Sequence, residues 1–160
     1  MELIDSHAHL DAGQFASDLP QVLERARQKG VRYIVTVGTD LLSSIRAIEI
    51  ANRYPFVYTS IGIHPHDADK AGEADLKKLK DLARSPKVVA IGETGLDYYR
   101  NYSPRPAQKQ LFRDLIKMAK EVGLPLIFHQ RHAQDELTAS MDEEEAWEVG
   151  GVMHCFSGSE

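Results

Sequence analysis

Residues 87–93 read KVVAIGE, a continuous apolar run rich in β-branched residues that closes on a glutamate. A strand with one wet face would alternate apolar and polar residues. This run does not, so it reads as a strand covered on both faces, as in a parallel sheet flanked by helices. Five further runs share its character: ELI (2–4), RYIVTVG (32–38), FVYTSIGI (56–63), LPLIFH (124–129) and GGVMHCF (150–156). Between them lie segments of helical periodicity. LPQVLERARQKG (19–30) has Ser17 or Asp18 as its cap and Gly30 as its stop, and LSSIRAIEIANRY (42–54) and ADLKKLKDLARS (74–85) follow. PAQKQLFRDLIKMAKEVG (106–123) carries Pro106 near its first turn and Gly123 at its end. QDELTASMDEEEAWEVG (134–150) reads as a further helix, although its acidic run from Asp142 to Glu145 reads equally well as a solvated face. Alternating strands and helices predict an α/β fold with a parallel sheet, either a (β/α) barrel or an open doubly wound sheet. Both architectures place active residues at the carboxyl ends of strands.

The chain has 160 residues, enough for one domain, 1–160, with a core of its own. With 42% hydrophobic and 27% charged residues it has the balance of a soluble globular protein, and no apolar run approaches a membrane span. Met1 leads straight into ELIDSHAHL without the basic start and long apolar stretch of a secretory signal, so a cytoplasmic location is expected. The lone cysteine, Cys155, suits a reducing compartment. A net charge of -5 argues against a surface that holds nucleic acid by counterion release alone. Bound divalent cations could still supply the charge that phosphates meet.

The carboxyl ends of the predicted strands hold His7 and His9, His64 and His66, Glu93, His129 and His154, so six of the seven histidines gather there. A random scatter would not do this. His7 and His9, one residue apart on a strand, point the same way and can grip one cation. Glu93 could bridge two cations about 3.5–4 Å apart, as in two-metal hydrolases. Taken singly, His66 and His132 read as ordinary structural histidines. GETGLD lacks the spacing and lysine of a phosphate-cradling loop, and FSGS is not a nucleophile elbow. Cys155 reads as a strand residue, which leaves metal-activated water as the better chemistry.

The motifs DSHAHLD, SIGIHPHDA, AIGETGLDYYR, LIFHQR and GVMHCFSGS, in this order and spacing, resemble those of the TatD family of metal-dependent deoxyribonucleases. The resemblance implies a TIM-barrel metallohydrolase that cleaves phosphodiester bonds of DNA, commonly as a 3'-to-5' exonuclease, with two divalent cations (Mg, Mn or Zn). It implies His7 and His9 on the first cation, Glu93 bridging both, and His129 with His154 on the second. His64 would face the scissile phosphate, and Tyr98 and Arg131 are further candidates for substrate contact. DNA is then the expected partner, with no membrane and no obligate protein partner.

An eight-stranded barrel needs roughly 250 residues, whereas the six predicted strands end just before Glu160. The expectation is therefore an incomplete barrel of about six of eight βα units, the N-terminal part of a longer protein. It lacks the family's late strand-end aspartate, so the first cation keeps only His7, His9 and Glu93, and catalysis by the chain alone is in question. The edges of the first and sixth strands would be exposed. A small-molecule amidohydrolase and a catalytically silent metal-binding fragment are the alternative readings. In the former a carbamylated lysine often takes the bridging place that Glu93 takes here.

Overall fold

Each apolar run folds as a strand and each amphipathic segment contains a helix. The computed structural model describes residues 2–156. Its strands and helices are β1 (Leu3–Ala8), α1 (Leu19–Gln28), β2 (Val31–Val37), α2 (Leu41–Arg53), β3 (Val57–Ile61), α3 (Glu73–Leu82), β4 (Val88–Asp97), α4 (Arg105–Val122), β5 (Leu126–Arg131), α5 (Gln134–Glu143) and β6 (Gly151–His154). Ser157, Gly158 and Ser159, which close the last family-like motif, lie outside the described residues. The strands form one sheet in the order β1-β2-β3-β4-β5-β6, and every neighbouring pair is parallel. A doubly wound sheet reverses its order at a switch point. This one steps one strand sideways after each helix, the winding of a (β/α) barrel.

Burial on both faces explains the unbroken apolar runs. Along β4 and β5, Ile91, Leu96, Leu126 and Phe128 pack outward into a cluster with Leu111, Phe112, Leu115 and Ile116 of α4. The intervening residues Ala90 and Ile127 meet Val37 of β2 on the other face. A smaller cluster of Leu10, Leu23, Ile34, Ala51 and Val57 lies under α1 and α2. The α4 stripe recurs at helical spacing, and full burial of a side chain such as Phe112 contributes up to about 3 kcal/mol. Pro106 in the first turn lacks an amide that would have no intrahelical partner, and Gly123, at φ +70°, supplies the left-handed residue that ends the helix.

The acidic run differs from the solvated-face alternative. Helix α5 stops at Glu143, Glu145 turns left-handed at φ 54°, and a short 3-10 turn spans Ala146–Glu148. The run is drawn onto the basic stripe of α4: Glu143 and Glu144 pair with Arg113, Glu144 with Lys117, and Glu145 and Glu148 with Lys120. The edge strands are open as expected, with Leu3, Ile4 and Val152 exposed. Among the described residues no helix is long and apolar enough to cross a membrane.

Candidate metal centre

Strand β4 does not end at Glu93 but continues to Asp97. Gly92 and Gly95, at φ +143° and +144°, are not turn residues: a Cβ on Gly92 would come 2.5 Å from the Ile127 carbonyl oxygen, and one on Gly95 would collide with that of His129. Only glycine lets β4 press this closely on β5. The register then sets Gly95 beside His129, and His129 beside His154 of β6.

The Glu93 carboxylate, buried at the centre of this mouth, faces a different histidine set with each oxygen. Its Oε2 lies 3.4 Å from His7 Nε2 and 3.9 Å from His9 Nε2, at the end of β1. Its Oε1 lies 2.9 Å from His129 Nδ1, which is also 3.2 Å from His64 Nε2. Among the described residues two groups therefore have the atoms to hold an ion: His7, His9 and Glu93, and His64, Glu93 and His129. His154 is not in the second group; its ring stacks on His7 at 3.4 Å between centroids. A cavity of about 400 Å³ opens over the site, lined by His9, His64, Glu93, His129, Gln130, Arg131, His154 and Cys155.

Protonation follows from these contacts. Burial alone would raise the Glu93 carboxyl, but the bond to His129, the nearness of His7 and the field of His64 hold it well below the ordinary carboxylate range. His64 is pushed down to about 4, chiefly by burial and then by His129. Burial lowers the His129 ring as well, yet Glu93 and Asp97 outweigh it and raise the imidazole. His154 is lowered by burial and by His7.

The donor set fits a cation better than it fits protons. Both His7 ring nitrogens are buried without a hydrogen-bond partner, a costly state that a ligated metal would relieve. The His9 Nδ1 lies 3.1 Å from the Val37 carbonyl oxygen, which places a proton on Nδ1 and leaves the Nε2 lone pair facing Glu93. His64 Nδ1 accepts the His66 amide at 3.2 Å, so its own proton sits on Nε2 and points at His129 Nδ1. That nitrogen cannot both accept from His64 and donate to Glu93, so one of two close contacts is left unmatched by any placement of protons.

Other candidates fall in different surroundings. Arg131 lines the cavity, its guanidinium carbon 3.9 Å from the Tyr99 ring centroid. Tyr98 is turned elsewhere: its hydroxyl donates to Glu136 of α5 at 2.7 Å and Arg105 lies over its ring. Burial and that carboxylate raise the phenol. His132 packs beside Tyr99. His66 is more than a bland histidine, since its Nε2 lies 2.7 Å from Oδ2 of Asp97. Asp97 itself, 1% exposed, is the residue that sequence reasoning missed. Its signal was present: had β4 been extended through the glycines, positions 93, 95 and 97 would have shared a face.

A family model described as TatD related DNase matches residues 4–160. The chain is 49% identical over 157 residues to an uncharacterized metal-dependent hydrolase, YabD, of Bacillus subtilis, covering 98% of this chain and 62% of that protein. It is 39% identical over 158 residues to the 3'-5' ssDNA/RNA exonuclease TatD of Edwardsiella piscicida, covering 98% of this chain and 61% of the relative. The fold is similar to the crystal structure of YjjV, a TatD homolog from Escherichia coli, with a TM-score of 0.91 and 34% identity over 98% of this chain and 61% of that one. The chain thus spans about six-tenths of the length of these relatives.

Proposed function

The chain belongs to the TatD-related DNase family of metal-dependent hydrolases, and from that premise we propose that it carries the cation-binding face of a nuclease that shortens single-stranded DNA from its 3' end. The observation that carries the reading is the division of Glu93, whose two oxygens face separate histidine sets on either side. The name borne by the Edwardsiella relative supports the substrate and polarity.

We assign His7, His9 and Glu93 to one divalent cation, and Glu93, His129 and His154 to a second, with magnesium, manganese or zinc as candidates. The atoms of His64, and not those of His154, lie within ligand range of Glu93 and His129 among the described residues, so geometry alone would choose His64 as the third ligand. Its tautomer argues for another role: with Nδ1 occupied by the His66 amide, Nε2 carries a hydrogen, which suits a phosphate oxygen better than a cation. Bound cations would supply Lewis acidity, offsetting phosphate charge and bringing the pKa of water toward neutrality.

The chain's own groups do the rest. Glu93 stays ionised across the physiological range, so its charge is available to both histidine sets. His64, at about 4, is neutral near pH 7 and contributes a hydrogen bond instead of a proton. Arg131 at the cavity wall is positioned for a phosphate, and the half-exposed Tyr99 ring beneath it offers a face on which a base can stack. Tyr98, held by Glu136, serves to anchor α5. The single cysteine, free and exposed, agrees with action in the cytoplasm.

Incubated with 5'-labelled single-stranded DNA and manganese, the protein is expected to trim the strand progressively from its 3' end. The activity should vanish in EDTA and return when metal is restored. Trimming that survives exhaustive chelation would overturn the proposal.

A further inference from the structure

Asp97 is built into the end of β4 from all sides. Its Oδ1 accepts the amides of Tyr99 at 3.0 Å and Arg100 at 2.8 Å, closing the turn after the strand. Its backbone is clamped by Gln108 of α4, which accepts the Asp97 amide at 2.9 Å and donates to its carbonyl at 3.2 Å. Gln108 is fully buried and also donates to Ser103. With Oδ1 committed to the turn, Oδ2 is left for two imidazoles: His66 Nε2 at 2.7 Å and His129 Nε2 at 3.2 Å. This carboxylate belongs to neither candidate cation group, although it is 1% exposed and touches a histidine of one of them.

We propose that Asp97 is a positioning residue that holds the His129 ring by its Nε2–H, so that Nδ1 turns its lone pair toward Glu93 and the cation between them. The inference rests on the metal reading above and deepens it. A histidine that donates one ring N–H to a carboxylate has its tautomer and orientation fixed, and its other nitrogen becomes the more basic ligand. In this protein the carboxylate is shared: His66 donates to the same oxygen, which ties the segment after β3 to the end of β5 through one buried atom. Glu93 and Asp97, on the same face of β4, thus act on opposite edges of one ring: Glu93 meets Nδ1 and Asp97 meets Nε2.

The substitution Asp97→Asn separates this role from a structural one. An asparagine retains Oδ1 for the two backbone amides, so the turn is preserved, and the amide nitrogen then replaces Oδ2 opposite the imidazoles. A donor in that place forces His129 Nε2 to accept, which moves the ring proton to Nδ1, against Glu93. Histidine nitrogen shifts of the metal-free chain, recorded at about pH 9, above the ordinary imidazole range, are expected to show the proton on Nε2 of His129 in the unsubstituted protein and on Nδ1 in D97N. Manganese affinity, read by electron paramagnetic resonance, should fall by about 10–100-fold, with the thermal midpoint reported alongside. Should D97N fail to fold, Asp97→Glu, which keeps the charge but displaces the oxygen, is expected to show a smaller loss of affinity. An unsubstituted chain that binds no manganese would overturn the metal reading and with it the cation half of this proposal. Binding by the unsubstituted chain with equal affinity in the variant, or an unchanged His129 tautomer, would overturn the role of Asp97 alone.

Discussion

Strands β4 and β1 meet at the same carboxylate under opposite conditions. Nine of the ten residues of β4 are buried, and none of the six residues of β1 is. Position in the sheet accounts for the difference: β4 has a hydrogen-bonded neighbour on each side and α4 packed outside it, whereas β1 is an edge. The consequence reaches the chemistry. On the interior side the His129 ring is held between Glu93 and Asp97, and Asp97 in turn by Gln108. On the edge side His9 has one outer partner, the Val37 carbonyl, and the nitrogens of His7 have none. Interior packing preorganises one half of the site and leaves the edge half without comparable support.

The largest expected effect removes the group the two halves share. Glu93→Gln keeps the shape but not the charge, and both histidine sets should lose manganese, by about 100-fold or more; a titration that still saturates near the original concentration would break the link between the halves.

Packing offers the second contrast. Phe112→Ala, beneath β4, should destabilise the chain by about 3–5 kcal/mol, while Ile4→Ala on β1 should change stability by roughly 0.5 kcal/mol or less, both read from urea unfolding midpoints. Equal losses would mean that the edge is covered in solution.

The third contrast is in pH. His64 titrates at about 4 when folded and near 6.5 when unfolded. Between those values the unfolded chain binds a proton that the folded one refuses, so the metal-free protein should lose stability as pH falls through this window. Glu93 and Asp97, both held below their ordinary values, extend the loss further into acid. His129 opposes them: its raised value stabilises the fold fully below 6.5 and ceases to do so as pH rises past its folded value. His64→Asn should therefore flatten the decline between pH 6.5 and 4, by on the order of 2 kcal/mol at the acid end. An unchanged slope would show that the decline has another source.

The smallest effect concerns the His7 ring. His7→Phe removes two buried nitrogens without a hydrogen-bond partner but also the 3.4 Å approach of Nε2 to Glu93 Oε2. These changes oppose each other, so the metal-free stability should change by no more than about 1 kcal/mol, while the further rise that manganese gives the unsubstituted chain at the β1 side should be lost.

Those contrasts also explain what was legible beforehand. The strands of the interior were readable because burial on both faces leaves runs such as VVAIG without polar interruptions. The convergence of His7, Glu93 and His129 followed from one rule, that residues at the carboxyl ends of parallel strands meet. Asp97 escaped because Gly92 and Gly95 resemble a turn in sequence; their purpose, a close approach to the β5 backbone, depends on a partner strand that lies some thirty residues away. His66 escaped with it, since its partner is Asp97. The end of α5 was hidden for a similar reason, because an acidic run looks solvated until the basic stripe of α4 is set beside it. The placement of His154 against His7 joins two edge strands distant in the chain, and no local pattern encodes it.

The most direct test is anomalous scattering from crystals of the chain grown with manganese. Density is expected on each side of Glu93, one peak against His7 and His9 and the other against His129. Peaks only at surface carboxylates, or a Glu93 with both oxygens remote from metal, would contradict the metal assignment.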